Sequence, residues 1–376
     1  MNLKYYVWLQ KVFLRKPQTA MKVLSDYSSP EEFYRAKDKA REYLTKRDMK
    51  AISDTSVAEC EQVVSLCEKK GIDIIPFDDE RYPESLRNLS DPPLIIYAFG
   101  DTSVLNMKPV VSVAGTRKAS EKGRKTAAHF CYDIASAGAV VCTGVADGID
   151  AAASEGALLA NGKTIGIMAC SLDVNYPAVT RSTKKKIIEK GGVLISEYPP
   201  TMSALSENFR PRNRLLSGLS DAFLAVEAPE ISGTLITASH AIEQGKEIFS
   251  VPSDPYDELS KGTNALLTDG VPPALSGADV LLTLVSSYPD RLDFSKIDKN
   301  SKNIFFGSSE KKKAERKPKL SGLGSKIIEA LKEGPSDFDS IVKKTGMDPS
   351  VLTGELISLE MDGYTEKDKA GKIVIK

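Results

Sequence analysis

Residues 209–234 read FRPRNRLLSGLSDAFLAVEAPEISGT. Three arginines and an asparagine precede an apolar run that is typical of a strand, and a Ser-Gly-Thr turn then opens a helix. Arginine forks match phosphate oxygens, and the start of a helix presents unpaired N–H groups and a partial positive charge. Because these groups fall on one side of a predicted parallel sheet, the sequence indicates a bound polyanion, and nucleic acid in particular.

The alternation of apolar runs and helical segments extends over residues 109–285. Each run is followed by a turn that contains glycine or proline, and the runs are Val110–Ala114, Ala139–Thr143, Thr164–Met168, Val193–Ser196, Ala222–Val226 and Ile248–Val251. Continuous apolar strands separated by helices specify a parallel sheet covered on both faces. We therefore predict an α/β fold with a Rossmann-like, doubly wound sheet, in which ligands bind beyond the carboxyl ends of the strands.

The segments on either side of this pattern predict further domains. In the first segment the clearest helix runs from Ser56 to Lys70, with a capping-box spacing at Ser56 and Glu59 and a stop at Gly71. Near the C-terminus, three predicted helices and a hairpin-like end form a winged-helix arrangement. The predicted organisation is an N-terminal helical domain with a connector at 1–90, the Rossmann-like domain at 91–285, a linker at 286–321 with a basic run at 310–319, and the winged helix at 322–376.

Composition restricts the class of protein. Lys and Arg total 51 and so do Asp and Glu, so no global field attracts an anion and a basic site must be built locally. The five cysteines lie inside helix or strand patterns without a CxxC pair, which predicts buried thiols in a reducing cytoplasm rather than disulfides or a zinc site. The N-terminal stretch has the pattern of neither a signal peptide nor a membrane span.

Candidate ligand-binding residues follow four of the predicted strands. They are Gly115, Thr116, Arg117 and Ser120 after the first strand, Gly144 after the second, Phe209, Arg210, Arg212, Asn213 and Arg214 before the fifth, Ser232, Gly233 and Thr234 after it, and Lys246, Lys261 and Asn264 on a possible extension of the rim. Two alternatives stay open. At least one of the three clustered arginines is expected to pack structurally or to pair with Asp221 or Glu227, and Phe209 is either a core residue or a platform for a base.

Catalytic patterns are missing from the sequence. His129 and His240 both fall in helical segments, and there is no HExxH, nucleophile elbow or phosphate-loop motif. We therefore expect a binding protein without metal or cofactor, not an enzyme. The alternative is a phosphoribohydrolase-like enzyme of a related Rossmann-like fold, which the lack of a glutamate in the turn after Ser232-Gly233-Thr234 disfavours.

An ordered series of short motifs resembles the DNA processing protein A family (DprA, also called Smf). It comprises GTRKAS at 115–120, TGVADGID at 143–150, YP at 176–177, SEYPP at 196–200, FRPRNR at 209–214, SGTLITA at 232–238 and VPSDPYDELSKGTNALLTDG at 251–270. The resemblance implies a single-stranded DNA-binding protein that protects incoming strands and loads the RecA recombinase in natural transformation, and that works as a homodimer. It also implies a sterile-alpha-motif-like N-terminal domain, and a DNA pocket at Arg117 and Arg212-Asn213-Arg214 supported by Gly115, Ser120, Gly233 and Thr234.

The sequence departs from the family pattern at Asp147, Ser154 and Ser253. The predicted recognition helix of the winged helix, residues 349–362, carries acidic residues and neither lysine nor arginine. A duplex major groove would repel such a helix, so we expect this domain to contact protein. Replacing Arg117 or Arg212 with alanine is expected to weaken DNA binding without unfolding the protein.

Overall fold

The computed structural model describes residues 2–37, 44–307, 320–362, 364–368 and 371–375. These residues form two compact units, Met1–Phe306 and Gly307–Lys376. The predicted basic run at 310–319 lies outside the described residues. The predicted domain boundaries at residues 91, 286 and 322 stay predictions.

The first unit alternates helices and strands after a helical start. Its helices are α1 (Leu3–Phe13), α2 (Pro17–Asp26), α3 (Pro30–Ala36), α4 (Lys46–Asp54), α5 (Val57–Lys70), α6 (Glu84–Arg87), α7 (Glu121–Ser136), α8 (Ile149–Leu159), α9 (Arg181–Glu189), α10 (Ser206–Leu219), α11 (Gly233–Glu243), α12 (Lys261–Thr268), α13 (Gly277–Leu282) and α14 (Ser301–Phe306). Its strands are β1 (Asp73–Pro76), β2 (Ile95–Gly100), β3 (Val110–Ala114), β4 (Val140–Thr143), β5 (Thr164–Met168), β6 (Val193–Ser196), β7 (Ala222–Ala225) and β8 (Glu247–Ser250).

The eight strands form one sheet in the order β1-β2-β6-β5-β4-β3-β7-β8. Strands β3 to β8 pair in parallel, whereas β2 pairs antiparallel with both β1 and β6. The chain order runs outward from β3 through β4, β5 and β6, and then returns to the other side of β3 with β7. The sheet therefore has its switch point between β3 and β7, which is where doubly wound folds bind ligands.

Helices cover both faces of the sheet. On one face, α7 and α8 bury Phe130, Ile134 and Ile149 against β3, β4 and β7. On the other face, α10 buries Leu215 and Leu219. Because helices pack on both faces, every residue of β3, β4 and β5 is buried, including the polar Ser112, Thr143 and Thr164. The predicted Rossmann-like fold is confirmed, and all six predicted strands are present within one residue at each end.

Two strands and one helix differ from the predictions. Asp73–Pro76, within the segment predicted as a helical domain with a connector, forms β1, and Ile95–Gly100, ahead of the first predicted strand, forms β2. The sheet is therefore longer than predicted by an antiparallel pair. Proline lies at the end of β1 and just before β2, and such residues are tolerated at strand ends. Helix α5 ends at Gly71 as predicted, with φ of 65°, but the Ser56 side chain makes no capping hydrogen bond.

The N-terminal helices share a core with the antiparallel edge of the sheet. Trp8 and Phe33 pack with ring centroids 5.8 Å apart. Cys60 of α5 is buried in the same cluster, beside Ile95 and Tyr97 of β2. All five cysteines are buried free thiols, as the sequence predicts.

The second unit has its own small core. It contains α15 (Gly322–Leu331), α16 (Phe338–Thr345), α17 (Pro349–Met361) and an antiparallel pair of β9 (Thr365–Lys367) and β10 (Ile373–Ile375). Ile327, Ile341, Leu352 and Ile373 are buried together. Asp348 caps α17 by accepting a hydrogen bond from the Ser350 N–H at 2.8 Å.

No helix in the parts of the chain described here is both long and apolar enough to cross a membrane.

Candidate functional site

A pocket of about 340 Å³ lies at the switch point, beyond the carboxyl ends of β3 and β7. We call it the β3–β7 crevice. It brings together nine of the predicted site residues, namely Gly115, Thr116, Arg117, Phe209, Arg212, Asn213, Ser232, Gly233 and Thr234. These residues come from the loop after β3, the first half of α10 and the start of α11, so three separate parts of the chain build one site.

Arg212 forms the inner wall of the crevice. Its side chain comes from α10 and reaches across the carboxyl ends of two strands, where Nη1 donates hydrogen bonds to the carbonyl oxygens of Gly144, at 3.0 Å, and Ile167. The residue is only 4% exposed, and its Nε has no hydrogen-bond partner among the described residues. The guanidinium is thus held in a fixed position with one buried donor left unsatisfied.

Gly144 and Asp150 fit closely around this guanidinium. A Cβ on Gly144 would lie 2.7 Å from Nη1 of Arg212 and 2.7 Å from Oδ2 of Asp150, so only glycine fits there. Burial raises the pKa of Asp150, and the charge of Arg212 opposes that shift. Burial also lowers the pKa of Arg212; Asp150 opposes this change and the positive charge of Arg117 adds to it. Two cations therefore face one buried carboxyl, which favours an anionic ligand.

Arg117 lies at the mouth of the crevice beside an aromatic pair. Its guanidinium carbon lies 4.6 Å from the centre of the Phe209 ring. Phe209 also meets Tyr176 edge to face, with ring centroids 5.8 Å apart. Phe209 is partly exposed, which favours the predicted platform over a core position. Arg117 is exposed and forms no ion pair with any residue in the described ranges.

The start of α11 closes the opposite side of the crevice. Ser232 caps this helix by accepting a hydrogen bond from the Thr234 N–H at 3.2 Å. Asn213 Nδ2 donates to the Gly233 carbonyl oxygen at 3.1 Å and ties α10 to this turn. The positive end of the α11 dipole therefore faces the same space as Arg117 and Arg212.

The three clustered arginines do not all lie on the ligand side of the sheet, contrary to the expectation that these groups share one side. Residues 206–219 are helical despite Pro211, and residues two apart on a helix differ in direction by about 200°. Arg212 consequently faces the crevice, whereas Arg210 and Arg214 line a different cleft on the other side of α10. The structure does not bring Arg210 or Arg214 into the crevice.

Arg214 is the arginine that packs structurally, but its partners are not Asp221 or Glu227, the two that the sequence suggested. Its Nη1 and Nη2 donate to the two carboxylate oxygens of Glu197 at 2.9 Å each, and its Nε lies 2.9 Å from Oδ2 of Asp91. Burial would lower the pKa of Arg214, but the charge of Glu197 and these hydrogen bonds raise it above the ordinary value. Asp221 instead pairs with Lys108, and Glu227 with Ser120.

Ser120 and Gly144 support the crevice from outside it. The Ser120 hydroxyl caps α7 by accepting a hydrogen bond from the Gly123 N–H at 2.9 Å. The same hydroxyl donates a hydrogen bond to the Glu227 carboxylate at 2.6 Å. Gly144 contributes its carbonyl oxygen to Arg212 and leaves room for it. Neither residue lines the crevice.

The predicted rim extension is not formed. Lys246 immediately precedes β8, so it lies at the amino edge of the parallel sheet, away from the crevice, and donates to the Gly218 carbonyl oxygen. Lys261 is exposed and pairs with Glu258 at 2.8 Å. Asn264 holds the loop after β8 through hydrogen bonds with Ser253.

The three departures from the family pattern lie outside the crevice. Asp147 pairs with Arg124 at 3.3 Å. Ser154 is buried and hydrogen-bonds to Thr143 at 2.9 Å. The Ser253 N–H donates to Asn264.

Several residues in or beside the crevice were not among the predicted set. Lys118, which follows Arg117, and Ile231, which is 95% exposed in the turn before α11, line the crevice. Tyr176 does not line it but contacts Phe209 from the loop after β5. Lys118 and Ile231 are neighbours of predicted residues, so their positions in the same turns could have identified them. Tyr176 comes from another loop, and only the fold shows its contact.

Two family models match the chain. One describes DNA recombination-mediator protein A and covers residues 73–285, and the other describes the DprA winged helix domain and covers residues 311–369. The chain is 33% identical over 219 residues to DNA processing protein DprA of Bacillus subtilis, a match that spans 58% of this chain and 73% of that protein. It is 29% identical over 317 residues to protein Smf of Escherichia coli, spanning 83% and 80% of the two chains.

Solved structures agree with these matches. DprA from Streptococcus pneumoniae superposes with a TM-score of 0.66 at 29% identity, over 75% of this chain and 98% of that one. DNA processing protein A from Helicobacter pylori, described for its single-stranded DNA binding mode, gives 0.52 at 30% identity, over 58% and 97%. The resemblance inferred from the motifs is confirmed, as is the winged helix, and this chain belongs to the DNA processing protein A (DprA/Smf) family.

Proposed function

We propose that this protein binds single-stranded DNA in the β3–β7 crevice and takes part in DNA processing during natural transformation. The observation that carries the proposal is the state of Arg212. Its guanidinium is held by two backbone carbonyl oxygens, its Nε is buried without a partner among the described residues, and it faces a space shared with the exposed Arg117. A phosphate oxygen supplies both the missing acceptor and the missing negative charge.

In this proposal the sugar-phosphate backbone lies between Arg117, Arg212 and the start of α11. Phe209, which is partly exposed and contacts Tyr176, is available to a neighbouring base. Stacking on an aromatic side chain contributes about 1–3 kcal/mol per base. Bases in a duplex already stack on one another, so this contact favours unpaired strands and depends little on sequence.

The proposal is tested by comparing a single-stranded oligonucleotide with the duplex of the same sequence over a salt series. We expect the single strand to bind more tightly, with a logarithmic salt slope of about 0.7 per phosphate contacted. Fluorescence anisotropy of a labelled oligonucleotide measures both quantities. Equal affinity for the duplex, or an affinity that does not change with salt, contradicts the proposal.

From membership of the family we also propose that the bound strand is protected and passed to the RecA recombinase, and that the protein acts as a homodimer in the cytoplasm. Transfer of the strand to RecA is measured by the assembly of RecA on DNA already covered by single-strand-binding protein. Light scattering of the purified protein measures its oligomeric state. A protein that leaves RecA assembly unchanged, or that is monomeric at all concentrations, contradicts the corresponding point.

We propose no catalytic activity, and the phosphoribohydrolase alternative is not favoured. Among the described residues that line the crevice, Asp150 carries the single carboxyl group, and it is buried next to Arg212. Release of free base from nucleoside monophosphates would contradict this assignment.

A further inference from the structure

A second cleft of the first unit lies on the other side of α10 from the crevice. It has a volume of about 780 Å³ and separates α10 from the turn between α1 and α2. We call it the α10 cleft. Leu14, Pro17 and Leu205 supply apolar walls, and Leu205 is 43% exposed. The cleft is therefore open to solvent and has surfaces on which a flat ring can pack.

Asn208 provides an unsatisfied donor in this cleft. The residue is 4% exposed, and its Nδ2 is buried with no hydrogen-bond partner among the described residues. A buried amide without a partner is unfavourable, and native proteins rarely leave one. The carbonyl oxygen of a nucleobase is the kind of acceptor that this group lacks.

The charges of the α10 cleft leave one cation available. Arg214 is occupied by Glu197 at 2.9 Å, and Arg15 pairs with Glu207 at the mouth. Arg210 is exposed and forms no ion pair within the described part of the chain. A phosphate can therefore approach Arg210 without displacing an internal partner.

The first turn of α10 lies between the two sites. Asn208 and Arg210 face the α10 cleft, while Phe209 and Arg212 face the crevice. Leu205 occupies the capping position of this 14-residue helix and makes no side-chain capping hydrogen bond. A strand that passes over this turn meets favourable groups on both sides.

We propose that the α10 cleft is a second subsite for the same DNA strand. A strand held in the crevice crosses the first turn of α10, places a base against Leu205 with its carbonyl oxygen toward Asn208, and places a phosphate at Arg210. This inference rests on the proposed single-stranded DNA binding in the crevice. It extends the contacted length beyond what the crevice alone accommodates.

The test uses the full chain and two thymidine oligonucleotides, one of about 4 and one of about 16 nucleotides, which span the range of known single-strand sites. We expect Arg210→Ala to weaken binding of the long oligonucleotide several-fold and to lower its salt slope by about 0.7, while binding of the short one is unchanged. Arg117→Ala is expected to weaken both. Arg35→Ala, a change at an exposed arginine of α3, is the matched control and should affect neither.

A second measurement does not depend on substitution. A long oligonucleotide that carries photoreactive 4-thiothymidine should crosslink to residues of the α10 cleft, such as Met202 or Leu205, when the adducts are mapped by mass spectrometry. If Arg117→Ala loses binding but Arg210→Ala binds both lengths normally, or if no adduct maps to the cleft, the second subsite is wrong. If Arg117→Ala binds both lengths like the unchanged protein, the crevice itself is wrong.

Discussion

Arg210, Arg212 and Arg214 are close in sequence but have different surroundings, because side chains two residues apart on a helix point in different directions. Arg212 is buried at the crevice, Arg214 is buried in an ion pair with Glu197, and Arg210 is exposed. Burial alone therefore does not identify a ligand-binding arginine. The difference lies in the partner, since Arg214 has a carboxylate on its fork and Arg212 has only backbone carbonyl oxygens.

Arg117→Ala tests DNA binding at the crevice separately from protein stability. The side chain is exposed and its contact is with the Phe209 ring, so its removal should leave the free energy of unfolding unchanged. We expect single-stranded DNA to bind more weakly and the salt slope to fall by about 0.7. Anisotropy titrations at several salt concentrations and urea denaturation measure the two effects. A variant that binds DNA as tightly as the unchanged protein removes Arg117 from the site.

Arg212→Ala is a less direct test of DNA binding than Arg117→Ala, although the sequence suggested that neither variant would unfold. Its removal leaves Asp150 buried beside unpaired carbonyl oxygens, so we expect this variant to lose stability as well as affinity.

Arg214→Met should reduce stability and leave the side chains that line the β3–β7 crevice in place, because Arg214 does not line it. The substitution leaves the Glu197 carboxylate buried without its bidentate partner, and breaking a buried pair in this way lowers the free energy of unfolding by about 3–5 kcal/mol. Urea denaturation measures the loss. The double variant Arg214→Met, Glu197→Leu should recover much of it, because both charges are then removed.

Arg210→Ala is the matched control on the same face of α10, and its unfolding should be unchanged. An Arg214→Met variant that is fully stable would show that the ion pair with Glu197 contributes nothing.

At the scale of elements, the cap of α7 couples the loop after β3 to the loop after β7. Ser120 satisfies the Gly123 N–H, and both its backbone N–H and its hydroxyl donate to the buried carboxylate of Glu227. Ser120→Ala removes the cap and one donor to that carboxylate, so we expect a loss of about 1–3 kcal/mol in the free energy of unfolding. Thermal or urea denaturation measures it.

Ser120→Thr keeps the hydroxyl and is the control for this effect. Under conditions in which Ser120→Ala stays folded, the affinity of Ser120→Ala for single-stranded DNA should match that of the unchanged protein. A stable Ser120→Ala variant with weakened binding would instead make this hydroxyl a direct contact.

The sequence predicts the strands of this fold better than it predicts the helix that carries the arginines. A parallel strand buried on both faces is a continuous apolar run, so runs such as Val110–Ala114 identify themselves. In α10, Pro211 and the alternation of charged and other residues hide the helical period, and the direction of each arginine cannot be read without it.

Other parts of the site depend on tertiary structure to different degrees. The pairing of Arg214 with Glu197 joins residues 17 apart, and no local pattern indicates it. The position of Lys246 could have been predicted, because a residue just before a parallel strand lies at the edge opposite the ligand site.

At the scale of the whole molecule, the proposed DNA site belongs to one unit. Every residue that lines the crevice falls within Met1–Phe306, and the second unit, Gly307–Lys376, buries a separate apolar core around Ile327 and Leu352. Binding in the crevice is therefore expected to be independent of the winged helix.

A chain shortened to residues 1–306 tests this independence. We expect it to fold, because its sheet and helices bury their own apolar clusters, and to bind single-stranded oligonucleotides with unchanged affinity and salt slope. Circular dichroism and anisotropy titrations measure these properties, with Arg117→Ala in the shortened chain as the negative control. A folded 1–306 chain that binds tenfold more weakly would place part of the DNA contact in residues 307–376. The expected preference of the acidic α17 for protein partners would then be wrong as well, because the tail would be holding DNA.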